Sequence, residues 1–249
     1  MEVFSNRCDK CKRDFTIKTG TLFGESKIPL QKWFIAIYLL TTSKKGISSI
    51  SLAEQVGVTQ KTAWYMDMRI REALKQGRGK LIGVVEADET YVGGKHRRPE
   101  SFSKKQVVFG MKERGGKIRA YHVSHRGTEV LLPTIKKHVH PNSILMTDEA
   151  RVYTKLPKVG YKNHGMIKHG KRHWVRGNVH TNSIESFWAL FKRNYHGTYH
   201  SMSKKHLQRY IDEVTFRFNN RENDMAGKFD LATAKIAKRG KMSYKALTA

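Results

Sequence analysis

The chain has 249 residues, with 48 Lys and Arg against 21 Asp and Glu, so its formal net charge is +27. A mean hydropathy of −0.60, with the longest strongly apolar run confined to residues 33–40, falls short of the ~20 apolar residues of a spanning helix, and two cysteines make no disulfide framework. A polycation of this size repels itself unless a polyanion is its partner, which points to nucleic acid; no long basic amphipathic helix accompanies the charge to favour a membrane surface.

The start, Met1-Glu2-Val3-Phe4, has neither the basic nor the apolar region of a secretory signal, so a cytoplasmic, nucleoid-associated protein is expected. The 39% of hydrophobic residues can bury a proper core, in one large domain and a small one.

In chain order, the first motif is Cys8-Asp9-Lys10-Cys11, half of a zinc ribbon. Structural zinc takes four N or S ligands, and no further cysteine follows, so residues 1–20 read as a partial ribbon, an incomplete zinc site. The expectation is two reduced thiols in a turn without metal.

Residues 29–40 show helical spacing, with Pro29 suited to a first turn. Ser48 or Ser49 can cap a helix carrying Leu52, Ala53 and Val56; Gly57 makes a turn, and Thr59 can cap a second helix with Ala63, Met66, Ile70 and Leu74 on one face. Residues 26–76 are therefore expected to form a helix-turn-helix domain, with Gln60, Lys61 and Tyr65 as candidate readers of a DNA groove. An αα-hairpin that merely packs is the alternative. The basic segment 75–80 reads as a linker.

From Leu81 the pattern turns to strands: 81–91, 106–111 and 117–123, then a helix over 130–138 and a strand over 143–147. The order predicts a mixed α/β domain over 80–222. Residues 93–105, with two glycines, a proline and clustered Lys and Arg, are expected to form a mobile basic loop. Helices are expected over 184–193 and 204–220, and residues 223–249 read as a basic C-terminal tail.

Three acidic sites lie on three separate elements: Asp88 in Glu86-Ala87-Asp88-Glu89, Asp148 in Thr147-Asp148-Glu149, and Glu185 in Asn182-Ser183-Ile184-Glu185. Between Ala150 and Arg209 thirteen Lys or Arg surround Glu185, the only acid. A carboxylate set among phosphate-binding charges suits Mg²⁺ or Mn²⁺ meeting a phosphate backbone, because both ions take hard oxygen ligands. Two such ions held about 4 Å apart support in-line phosphoryl transfer.

Each acid has a plainer reading. Asn182-x-x-Glu185 fits a capping box, and Asp88 could be a solvated strand end with Glu86, on the same strand face, as partner or rival ligand. Glu149 competes with Asp148. Lys192 follows Glu185 by two helical turns and could reach a phosphate beside a metal. Arg176 and Arg193 are further candidate DNA contacts. His164, His169, His173 and His180 match no zinc spacing.

The segments Gly46-Ile47-Ser48-Ser49, Val58-Thr59-Gln60-Lys61-Thr62-Ala63-Trp64, Asp88-Glu89-Thr90-Tyr91-Val92-Gly93-Gly94, Thr147-Asp148-Glu149, His180-Thr181-Asn182-Ser183-Ile184-Glu185-Ser186-Phe187-Trp188 and His196-Gly197-Thr198-Tyr199-His200 together resemble bacterial insertion-sequence transposases with a DDE catalytic domain, from about Cys8 to Asn220. The resemblance implies an RNase H-like catalytic domain in which Asp88, Asp148 and Glu185 bind the metal and Lys192 is the accompanying lysine. It further implies binding of terminal inverted repeats, strand cleavage, joining of a 3′-hydroxyl to target DNA, and a homodimer on double-stranded DNA. Relatives carry a complete four-ligand ribbon, whereas this sequence starts just before the second Cys-x2-Cys, which suggests a truncated frame. Two other functions are carried forward: a non-catalytic helix-turn-helix DNA-binding protein, a decayed transposase, and a nuclease that cuts without joining.

Overall fold

The computed structural model describes residues 5–24, 26–93, 105–167, 180–240 and 242–248. The chain divides into two compact units, Met1–Lys75 with Asn223–Ala249, and Gln76–Glu222.

The first unit opens on two short antiparallel strands, β1 (Asn6–Arg7) and β2 (Asp14–Phe15), which flank the Cys8–Cys11 turn. Helix α1 (Leu30–Thr42) follows, with Pro29 as its N-cap, one residue outside the expected first turn; Trp33, Ala36, Ile37 and Leu40 form its buried face. In α2 (Ser49–Val56) the Ser48 hydroxyl accepts the Ser51 N–H at 3.1 Å, one of the donors a helix start leaves open. Gly57 ends α2 at φ 66°, a left-handed conformation that costs glycine little. Thr59 then caps α3 (Gln60–Ala73), accepting the Thr62 N–H at 3.3 Å. Leu52, Ala53 and Val56 of α2 and Ala63 and Met66 of α3 are buried, so the two helices and their turn form as the sequence suggests.

Residues 223–249, expected as a basic tail, instead carry α7 (Met225–Ala237) and α8 (Tyr244–Thr248); the numbers α4 to α6 fall to the second unit. The Asp224 carboxylate caps α7 by accepting the Gly227 N–H at 2.7 Å. Phe229 packs edge-on against Phe34 and Tyr38 of α1, with ring centres 6.1 and 6.3 Å apart. Met225, Phe229, Ala232 and Ile236 recur at helical spacing, which is why this basic segment folds back rather than trailing into solvent.

The second unit is built on a five-stranded sheet of β3 (Val84–Val92), β4 (Gln106–Glu113), β5 (Ile118–Val123), β6 (Ile144–Thr147) and β7 (His164–Met166), in the order β5-β4-β3-β6-β7. The first three strands pair antiparallel, while β6 and β7 add in parallel beside β3. Three antiparallel strands continued by parallel ones, with helices on both faces, make the RNase H-like mixed sheet expected for this unit. Successive side chains of β3 point to opposite faces. Val85 and Ala87 enter a core with Leu131 and Ile135 of α4 (Thr128–His138) and with Val152, Tyr153 and Leu156 of the segment after β6. Glu86, Asp88 and Thr90 share the other face, where α5 (Asn182–Asn194) and α6 (Leu207–Asn219) supply Ile184, Phe187, Phe191, Ile211 and Val214.

Two further features of the fold depart from the sequence reading. The linker begins as packed chain, because Gln76 bonds both to Ala120 and, at 2.8 Å, to Asp212. The short β7 was not anticipated, since three residues with a central glycine carry little strand preference. Most of the expected basic loop, residues 94–104, lies outside the described residues. Among the described residues no helix is long and apolar enough to cross a membrane.

Candidate active site

The last registered pair of the parallel β3–β6 ladder is Glu86 with Met146. Two residues further along each chain stand Asp88 and Asp148, which brings two carboxylates from distant sequence to neighbouring positions. Asp88 is half-buried, and its Oδ2 accepts the indole N–H of Trp188 at 2.9 Å. Its pKa is pushed up to about 6, first by burial and further by the negative charges of Asp148 and Glu185, against the opposing N–H of Glu89 and the Trp188 indole. The three acids named from the sequence therefore share one electrostatic neighbourhood.

Asp148 follows the end of β6, and its Oδ1 accepts the Ala150 N–H at 3.0 Å, which turns the chain. Glu149 beside it is exposed. Glu185 lies exposed in the first turn of α5; its Oε1 accepts the Thr181 hydroxyl at 3.0 Å, and Thr181 rather than Asn182 is the N-cap. The capping-box reading of Glu185 thus fails, and its second carboxylate oxygen is not used by that bond. Lys192 and Arg193 are exposed towards the end of α5.

Glu86 has a different role from the ligand considered for it. Fully buried, its Oε1 accepts Arg114 Nε at 2.7 Å, with His180 Nδ1 at 3.4 Å, and its Oε2 accepts the Ile184 N–H at 3.0 Å. Arg114 also donates to the His180 carbonyl at 2.8 Å. The carboxylate so paired ties the start of α5 to the middle of the sheet and sets where Glu185 begins.

On the opposite face of β3, Glu89 receives the Tyr153 hydroxyl at 2.5 Å. Burial lifts its pKa to about 7, helped by the charges of Asp148 and Asp88 and opposed by Arg126. Neither this pair nor Trp188 was singled out from the sequence. Trp188 was within reach of such reasoning, because it lies three residues after Glu185 and so on the same helix face; Tyr153 gave no comparable signal.

The carboxylates are hard oxygen donors, and a divalent cation would offset both the burial and the lesser mutual repulsion that raise the proton affinity of Asp88, so their chemistry fits Mg²⁺ or Mn²⁺. Among the described residues no group of three or more His, Cys, Asp or Glu side chains forms a ready metal site. Cys8 is half-buried and Cys11 exposed, both free thiols, with the Cys11 and Lys10 amides lowering the pKa of Cys8.

In the first unit, Gln60 and Lys61 are exposed at the start of α3, although Gln60 donates to the Ser49 hydroxyl at 2.9 Å. Tyr65 is drawn inward: its hydroxyl donates to the Met242 carbonyl at 3.3 Å and its ring meets Tyr244 at 5.7 Å, so it packs the C-terminal segment onto α3. His164 bonds to Thr147 at 2.8 Å inside the sheet. Arg176, His169 and His173 lie outside the described residues.

The family model of the ISXO2-like transposase domain matches residues 80–219. A protein in transposable element ISH50 of Halobacterium salinarum, itself uncharacterized, is 30% identical over 228 residues, covering 84% of this chain and 76% of its own. A transposase-like protein of Haemophilus influenzae is 33% identical over 106 residues, 43% of this chain and 84% of its own. Among solved structures, the Mos1 strand transfer complex aligns at 13% identity over 88% of this chain and 82% of the other, with a TM-score of 0.35.

Proposed function

The chain belongs to the ISXO2-like transposase family, and from that premise we propose that it binds the terminal inverted repeats of its element, cleaves DNA strands and joins a 3′-hydroxyl to target DNA. The observation that carries this reading is that Asp88 in the middle of β3, Asp148 just after β6 and Glu185 in the first turn of α5 lie close enough for the charges of Asp148 and Glu185 to add to the burial that raises the proton affinity of Asp88. Structural carboxylates scattered over a surface would not couple in this way.

In this reading Asp88, Asp148 and Glu185 hold Mg²⁺ or Mn²⁺, which when bound supplies Lewis-acid activation of the attacking oxygen and stabilises the leaving one. The protein's own share is positional and electrostatic. Glu86 and Arg114 fix the start of α5, and Asp88 and Asp148 are delivered side by side by the parallel ladder. Lys192 and Arg193 offer exposed positive charge to the phosphates of the scissile strand. In-line transfer needs no covalent protein intermediate, so no serine or tyrosine nucleophile is required. Gln60 and Lys61 at the exposed start of α3 meet the DNA ends, and two copies bring two ends together.

A strand-transfer assay on element-end DNA with Mg²⁺ tests the reading. Asp88→Asn, Asp148→Asn and Glu185→Gln are each expected to lower the rate by ~10²-fold or more, and wild-type activity in any of them removes that residue from the site. A second reading is a non-catalytic DNA-binding protein, favoured by the lack of a ready three-ligand metal site among the described residues. It predicts salt-sensitive binding without cutting. Hydrolysed but never joined products would instead identify a nuclease.

A further inference from the structure

We propose that Trp188 is a positioning residue of this site: its indole N–H fixes the orientation of the Asp88 carboxylate, and Gly110 is the gap in the sheet that lets the ring reach it. The inference rests on the reading of Asp88 as a reaction-site acid.

Asp88 and Gly110 are directly opposed in the β3–β4 ladder, so both face α5. A Cβ built on Gly110 would lie 2.7 and 2.8 Å from two ring carbons of Trp188 and 3.0 Å from Ile184 Cδ1. No side chain fits there without moving the indole. The ring itself has little room to yield: it is 5% exposed and packs against Phe187, with centres 5.2 Å apart. Seated over the glycine, the indole has its Nε1 2.9 Å from Asp88 Oδ2.

Apolar packing alone would be served by phenylalanine. The indole adds a single donor, and that donor ends on the candidate acid. Engaging Oδ2 restrains the rotation of the carboxylate, to which the Glu89 N–H also donates. Glu185 lies three residues earlier on the same helix, so α5 carries both one acid and the group that aims another. Glu86 holds the start of that helix through the Ile184 N–H at 3.0 Å, so the register of both is set together.

Trp188→Phe in the full chain keeps the ring over Gly110 and deletes only the donor. Its thermal midpoint is expected to stay within a few degrees of wild type, while strand-transfer kcat falls ~10-fold or more at unchanged KM for DNA, and Mn²⁺ affinity, read from free-ion EPR, falls ~10-fold. In protein labelled with ¹⁵N-tryptophan, the indole cross-peak absent from Trp188→Phe should be the first of the four to broaden on Mn²⁺ titration, and that broadening should vanish in Asp88→Asn. Gly110→Ala, which retains Trp188, should shift the same cross-peak and weaken Mn²⁺ binding. Wild-type kcat and Mn²⁺ affinity in Trp188→Phe, beside an inactive Asp88→Asn, overturn the positioning role alone. An active Asp88→Asn overturns the role together with the assignment of Asp88.

Discussion

An acid buried beside two other acids is held in the folded state at a cost, and Asp88 shows what that does to stability. Its pKa rises from 3.8 to about 6 because burial and the charges of Asp148 and Glu185 disfavour the ionised form. A carboxyl whose folded pKa is raised costs nothing below its unfolded value, where both states are protonated. The cost grows as pH climbs from about 3.8 and is complete above about 6, at a magnitude on the order of 1–3 kcal/mol. Asparagine keeps the shape and a hydrogen-bond acceptor for the Trp188 indole but never ionises. Asp88→Asn is therefore expected to raise the thermal midpoint of metal-free protein at pH 8 by several degrees, with a smaller gain at pH 5, alongside the fall in strand transfer expected of it. Thermal scans at the two pH values check this. A variant less stable than wild type at pH 8 would show that the carboxylate is held by favourable bonds rather than against its own desolvation.

Helices α2, α3 and α7 of the first unit each start on a single capping side chain, a signal as local as any in the sequence. Ser48, Gly57 and Thr59 act within a few residues of the positions they stabilise, so the two helices and their turn could be read directly. Asp224 is an equally local signal ahead of Met225, Phe229, Ala232 and Ile236, yet the net basic character of the segment masked its helical period. The tail reading and the structure differ in a measurable consequence. Asp224→Ala removes the acceptor of the Gly227 N–H and should cost the first unit about 1 kcal/mol, seen as a lower urea midpoint for the transition reported by Trp33, whereas in an unfolded tail it would change nothing. The three candidate acids were also readable, as carboxylates on three separate elements of a basic chain, although Asp88 lies in the middle of β3 rather than at the strand end expected for it. Their partners were not: Trp188 meets Asp88 across 100 residues of chain, Tyr153 meets Glu89 across 64, and Glu86 meets the start of α5 across 98. Such pairs are fixed only when the ladder of β3 with β4 and β6 has been formed. The pleat then separates Asp88 from Glu89, two adjacent acids whose different surroundings no local pattern distinguishes.

At the scale of the whole chain, the net charge of +27 acts in opposite directions with and without its partner. Alone, the excess of Lys and Arg repels itself, and added salt screens that repulsion over a Debye length of about 10 Å at 0.1 M. In the proposed complex with DNA the same charges would neutralise phosphates and release counterions, and added salt would weaken binding by about 0.9 in the log–log slope for each phosphate contact. A ligand at free concentration L that binds only the folded state stabilises it by RT ln(1 + L/Kd), so at fixed DNA concentration a rise in Kd lowers the unfolding midpoint and the two effects can be read in one experiment. Raising KCl is expected to increase the thermal midpoint of the free protein and to decrease that of the protein saturated with duplex DNA, the two curves converging at high salt. Lys192→Ala, which removes one exposed charge from α5, should lower the binding slope by about one contact while leaving the salt response of the free protein almost unchanged. If salt shifted both curves in the same direction, the positive charge would be serving the fold rather than a nucleic-acid partner, and the DNA-processing reading would lose its electrostatic basis.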